Sequence, residues 1–140
     1  MPAEPLARVF VYGTLREGFR NPGRDILTTH GRRVDHARVE GTLYDMGAFP
    51  VLVPARAPDD RVLGEVYRLD REPARGLARL DRYEGLEGPE PLPYERRRRT
   101  VELEDGGEAD AWVYVWTGEL EDATRVPDGD YTTWLRGNEP

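Results

Sequence analysis

Asp105-Gly106-Gly107 separates two stretches, Glu95 to Leu103 and Ala109 to Trp116, that both read as β-strands. Two glycines supply the positive φ angles that a tight hairpin turn demands, so this spacing commits the chain to an antiparallel pair. Three further strands are predicted around it: Arg38 to Tyr44, Val51 to Val53 and Val62 to Leu69. Val9-Phe10-Val11 adds a short β-branched and aromatic run of the kind a buried strand shows. Asn21-Pro22 can cap and open a helix through about Thr29. The clearest helix is Asp70 to Leu86, with Asp70 as N-cap, Pro73 in the first turn and Gly85 as the stop. The tail after Trp116 reads as irregular, docked by Tyr131 and Trp134. About six strands and two or three helices predict an α+β fold, a small mixed β-barrel or sheet flanked by helices. The 140 residues are expected to form a single domain, 1–140.

Missing residue types narrow the chemistry. The chain has no Cys, Ser, Lys or Gln, and all 20 of its basic residues are Arg. No thiol or serine nucleophile, Schiff-base lysine or P-loop lysine is available. The two histidines, His30 and His36, lie in a segment rich in Arg and Asp and are expected at the surface. An enzyme built from this set would work with carboxylates, tyrosines, threonines and backbone amides. A net charge of −7 argues against nucleic acid as the main partner. No apolar run approaches the ~20 residues of a membrane span. Met1 to Pro5 lacks the basic and apolar regions of a signal peptide, so a cytoplasmic protein is expected.

Two places stand out. After the first strand, Tyr12-Gly13-Thr14-Leu15 forms a glycine turn whose N–H groups could hold a carboxylate or a developing oxyanion. In the Asp70–Leu86 helix, Leu77, Leu80 and Glu84 share a face at ~100° per residue. If the leucines face the core, so does the carboxylate. Burial and the negative end of the helix dipole both disfavour its charge, which suits a group that takes and returns a proton. Pairing of Glu84 with an arginine is the structural alternative, and Asp81 is a rival carboxylate at the edge of the same stripe.

Seven segments in order resemble one family. They are Val-Tyr-Gly-Thr-Leu-Arg-x-Gly-x-x-Asn (Val11 to Asn21), Gly-Thr-Leu-Tyr-x-x-Gly-x-x-Pro (Gly41 to Pro50) and Gly-Glu-Val-Tyr (Gly64 to Tyr67). Leu-Asp-x-Tyr-Glu-Gly (Leu80 to Gly85), Tyr-x-Arg (Tyr94 to Arg96), Ala-Trp-Val-Tyr-Val (Ala111 to Val115) and Gly-Asp-Tyr (Gly129 to Tyr131) follow. The chain resembles the γ-glutamylcyclotransferase-like, or AIG2-like, family from about Val9 to Tyr131. It departs at Tyr131, where the family often has Trp, and in the Arg-rich stretch between Tyr94 and Val101.

The resemblance implies a mixed barrel with one cavity at its mouth. It implies a substrate-binding loop of Tyr12, Gly13, Thr14 and Leu15, and Glu84 as the catalytic acid and base. Tyr94 and Tyr114 are expected as cavity walls and hydrogen-bond donors. The implied reaction turns a small γ-glutamyl compound into 5-oxoproline and a free amine, and needs no metal or cofactor. A non-catalytic small-molecule binding module on the same fold is the main alternative. Two lesser readings are phosphate binding through Arg96 to Arg99 and a two-carboxylate glycosidase using Glu84 with Glu65. Oligomeric state is not legible in the sequence.

Overall fold

The structure is a computed structural model that describes residues 6–137. Eight strands and three helices follow one another in the order β1 (Arg8–Val11), α1 (Pro22–His30), β2 (Gly31–Glu40), β3 (Thr42–Asp45), β4 (Pro50–Val53), β5 (Arg61–Leu69), α2 (Pro73–Tyr83), β6 (Tyr94–Leu103), β7 (Glu108–Trp116), β8 (Thr124–Arg125) and α3 (Tyr131–Gly137). Five strands close a barrel in the order β1-β5-β2-β6-β7, and β4-β3-β8 form a second sheet. The barrel is mixed because β1 pairs β7 in parallel while its other ladders are antiparallel. The predicted hairpin is β6–β7, in register from Tyr94↔Trp116 to Glu102↔Glu108.

Alternation along the strands sends side chains to two apolar clusters. Val9 and Val11 of β1 and Tyr67 and Leu69 of β5 pack with Leu27 of α1 and Leu77 and Leu80 of α2. Phe10, Val62, Val66, Val101 and Val113 pack on the other strand face. Strand β1 is thus covered on both sides, which is why its sequence is apolar without a break.

The secondary structure departs from the sequence reading in several places, among them the end of α2 at Tyr83 instead of Leu86. The predicted strand Arg38 to Tyr44 is divided at Gly41, its first part belonging to β2 and its second to β3. Strand β2 reaches back to Gly31 through an exposed, charged stretch with no hydrophobic period; pairing with β5 holds it extended. The tail contains β8 and α3, with Tyr131 buried. Helix α2 starts at Pro73, with Glu72 rather than Asp70 at its N-cap, at φ 47° and without a side-chain cap bond. A proline disfavours helical backbone in the residue before it, so α2 cannot extend back through Glu72.

His30 is buried, not at the surface. Its Nδ1 lies 2.7 Å from the carbonyl oxygen of Arg71 and its Nε2 lies 2.9 Å from Nη1 of Arg79. A carbonyl only accepts and a guanidinium only donates, so the ring must carry its proton on Nδ1. Both polar atoms of the ring are satisfied, which permits the burial.

Candidate active site

The loop after β1 is tied down by its own carbonyls. Arg16 N–H donates to the Gly13 oxygen at 3.1 Å. The Asn21 side-chain amide donates to the Thr14 oxygen at 2.8 Å, and Arg24 Nη1 to the Leu15 oxygen at 3.1 Å. In a trans peptide the carbonyl and the following N–H point in opposite directions. Holding the Thr14 carbonyl toward Asn21 therefore aims the Leu15 N–H away from it. Among the described residues, the N–H groups of Gly13, Thr14 and Leu15 have no hydrogen-bond partner.

Gly13 owes its place to a close approach. A Cβ there would stand 2.7 Å from Pro50 Cγ, so only glycine lets the loop lie against the start of β4.

Asn21 does two jobs. Its side-chain oxygen accepts from Arg24 N at 2.9 Å and caps α1, while its amide holds Thr14. Replacing an N-cap Asn by Ala costs about 0.5–2 kcal/mol. Asn21→Ala is expected to lower stability by that amount in thermal melts and to raise KM more than it lowers kcat, because the loop amides lose their brace.

Behind the loop, the buried Glu65 carboxylate accepts from Arg16 Nε and, at 2.7 Å, from Glu17 N. Arg16 Nη1 reaches Asp130 at 2.7 Å. Asp130 in turn accepts from the N–H groups of Thr132 and Thr133 at the start of α3. The guanidinium thus ties the loop to β5 and to the C-terminal helix. Glu65 is turned to this pair and does not line the cavity that holds Glu84, which removes the geometry a two-carboxylate glycosidase requires.

Glu84 sits at the C-cap of α2. Leu86 N donates to Asp81 O at 3.0 Å and Gly85 N to Arg82 O at 3.1 Å, a Schellman end with Gly85 at φ 85°. The residue at that position must be left-handed, where glycine carries no steric cost. This end stops the helix directly after Glu84 and turns the chain away, leaving the carboxylate at a cavity instead of under a further turn. Leu77 and Leu80 on the same face are buried, whereas Glu84 is partly exposed.

The cavity measures about 360 Å3 and is lined by Tyr12 to Leu15, by Phe49 of the β3–β4 connection and Pro50 at the start of β4, and by Tyr83, Glu84, Leu92, Tyr94 and Tyr114, among others. All seven residues singled out by the sequence meet there. Glu84 is the one carboxylate among the lining residues, and none of them is basic. Desolvation, and next the charge of Asp81, push its pKa up to about 7.

The tyrosine hydroxyls are already engaged. Tyr12 OH donates to Tyr114 O at 2.7 Å, Tyr94 OH to Pro50 O at 3.2 Å and Tyr114 OH to Asp81 at 2.7 Å. Burial raises all three phenol pKa values, so these rings are neutral walls.

Residues missed in the sequence are Ala48, Phe49, Tyr83 and Leu92, which complete the apolar walls. Pro50 closed one of the quoted motifs and so carried a signal; Leu92, in a proline-rich loop, carried none. Among the described residues no group of three or more His, Asp or Glu side chains could hold a metal ion. Among the described residues no helix is long and apolar enough to cross a membrane.

The Arg96–Arg99 run is divided between neighbours. Arg96 pairs with Asp81, Arg97 with Glu95 and Arg98 with Asp110. Three of the four charges in the supposed phosphate patch are thus matched by carboxylates.

A closed five-stranded mixed barrel flanked by helices defines the class of fold. Residues 9–133 match the model of the family described as gamma-glutamyl cyclotransferase, AIG2-like, and the chain belongs to that family. It is 34% identical over 125 residues to a Vibrio cholerae protein provisionally named gamma-glutamylcyclotransferase, covering 88% of this chain and 93% of that one. It is 33% identical over 123 residues to the gamma-glutamylaminecyclotransferase of Bos taurus, covering 79% of this chain and 66% of that one. Its fold matches the crystal structure of YkqA from Bacillus subtilis with a TM-score of 0.70 at 24% identity, over 96% of this chain and 44% of that longer one. These relationships support a gamma-glutamylcyclotransferase type of function.

Proposed function

We propose that the protein releases 5-oxoproline and a free amine from a small γ-glutamyl compound. The observation that carries this reading is the meeting, in one cavity, of unpartnered loop amides and a single carboxyl poised near neutrality. The substrate brings its own nucleophile. Glu84, as carboxylate, takes a proton from the α-ammonium of the substrate. The freed nitrogen lone pair attacks the δ-carbonyl carbon and the carbonyl electrons move onto oxygen.

Protonated Glu84 then gives its proton to the leaving nitrogen. The bond from that nitrogen to the carbonyl carbon breaks, and the carbonyl re-forms. The surplus proton of the ring nitrogen passes through Glu84 to the departing amine, so 5-oxoproline and an ammonium leave and Glu84 is again a carboxylate. A five-membered closure of this kind gains up to ~10⁵–10⁸ M in effective concentration when its ends are held together. The amides of Gly13 to Leu15 hold the α-carboxylate or the oxyanion, and the apolar walls exclude water.

The test is incubation with a panel of γ-glutamyl dipeptides, γ-glutamyl-lysine and γ-glutamyl amines, with 5-oxoproline read by mass spectrometry. At least one member is expected to give 5-oxoproline and amine in equal amounts. Calorimetric binding without 5-oxoproline from any member would instead make the cavity a binding module.

A further inference from the structure

Asp81 is an acidic side chain that the mechanism above does not use. It sits three residues before Glu84, within one turn of α2, so the two carboxylates lie on neighbouring parts of one helix face. Its side chain is only 15% exposed. The C-terminal end of a helix is the wrong place for a negative charge, and a second carboxylate beside it makes the place worse.

Two donors hold it there. Its Oδ1 accepts from Tyr114 OH at 2.7 Å and from Arg96 Nε at 2.8 Å. Arg96 reaches in from β6 and is itself fixed, its guanidinium 4.3 Å over the Trp112 ring. The buried Nη1 of Arg96 has no hydrogen-bond partner among the described residues. A guanidinium left partly unsatisfied for a single carboxylate is a costly arrangement for packing alone.

Around Glu84 the other titratable groups are phenols: Tyr83 on its own helix, Tyr12 after β1, Tyr94 on β6 and Tyr114 on β7. Burial keeps Tyr12, Tyr94 and Tyr114 neutral. Asp81 is thus the charged neighbour that Glu84 feels, and Arg96 stands on the far side of Asp81.

We infer that Asp81 is a positioning residue whose charge, added to the effect of burial, raises the pH at which Glu84 gives up its proton, with Arg96 pairing with Asp81 and partly offsetting its charge. The inference rests on Glu84 moving the proton in the reaction proposed above. Removing the Asp81 charge relieves repulsion on ionised Glu84, and removing Arg96 exposes Glu84 to the full charge. The two changes therefore act in opposite directions, which a role in packing would not produce.

The experiment compares kcat/KM against pH for the wild type, Asp81→Asn and Arg96→Gln, on the best substrate of the γ-glutamyl panel. A parallel ¹³C NMR titration follows the Glu84 carboxyl, and thermal melts check folding. The acid limb and the NMR midpoint are expected to fall by about one pH unit in Asp81→Asn and to rise in Arg96→Gln. Rates on the alkaline plateau should stay within about tenfold of the wild type. An unmoved midpoint in folded Asp81→Asn, or movement of both variants in the same direction, overturns the inference. If Asp81→Asn does not fold, Arg96→Gln decides alone, and a midpoint that fails to rise overturns it. The NMR arm needs no turnover. It separates failure of this inference from failure of the proposed reaction, which shows as a shifted midpoint in a protein that makes no 5-oxoproline.

Discussion

Glu84→Gln is expected to abolish 5-oxoproline formation while leaving a folded protein. Positioned acid–base groups contribute about 10²–10⁴-fold, and here one group serves both proton transfers, so the loss should lie at or beyond the upper end of that range. Glutamine keeps the size and the hydrogen-bonding oxygen but cannot take the ammonium proton. Turnover by this variant at the wild-type rate would remove Glu84 from its assigned role.

The same substitution has a stability signature. The Glu84 pKa is raised from the ordinary carboxylate range to about 7, so the folded protein holds this proton more tightly than the unfolded chain does. Wild-type stability from this group is present below about pH 4.5 and is lost as the pH rises to about 7 and above. The neutral glutamine amide brings no such dependence. The variant should gain on the wild type by roughly 1–3 kcal/mol at about pH 8 relative to about pH 5, read from denaturant curves at both values. An equal difference at both pH values would mean that the carboxyl titrates normally. Gain in stability with loss of activity is the expected mark of a charge placed for chemistry rather than for folding.

Glu65→Ala should be the most destabilising single change near the site. Glu65 is 1% exposed, and it partners both Arg16 Nε and the Glu17 N–H. Its removal leaves a partly buried guanidinium with only Asp130, and takes the acceptor from the Glu17 N–H. Breaking a buried pair from one side costs about 3–5 kcal/mol, a large share of the roughly 5–15 kcal/mol that holds a typical domain. Activity should fall with stability, since Arg16 directly follows the loop that lines the cavity. Glu65→Gln keeps one acceptor oxygen, enough for one of the two donors, and should recover part of the loss. A chemical denaturation midpoint for Glu65→Ala within error of the wild type would show that the pair contributes nothing net.

The two carboxylates show how far sequence reading reaches. Glu84 was legible because helical periodicity is a local property: Leu77, Leu80 and Glu84 share a face whatever the rest of the chain does. Periodicity left open whether Glu84 meets a cavity or an arginine partner; the family resemblance implied the cavity. The outcome depends on the Schellman end at Gly85 and on β6 and β7 passing beside it. Glu65 stands in one of the quoted motifs, but strand alternation alone did not show which partner it would meet. The partner that permits its burial in β5, Arg16, lies 49 positions away. His30 followed the same pattern, its Arg and Asp neighbours suggesting a surface place that α1–α2 packing reversed.

By itself the sequence determined the hairpin, the principal helices, the motif order that carries the family and the two halves of the candidate site, Tyr12 to Leu15 and Glu84. The hairpin and the helices rest on spacing within a few turns of chain, where backbone geometry alone sets which side chains share a face; the pairing of Tyr12 to Leu15 with Glu84 rests on the family resemblance. Tertiary structure decided the closure of the barrel by β1 and β7, the docking of α3, the partners of Glu65, His30 and Asp81, and the apolar walls from Phe49 and Leu92. These are contacts between segments distant in the chain. Packing selects them, and no local pattern records which buried charge will find which partner.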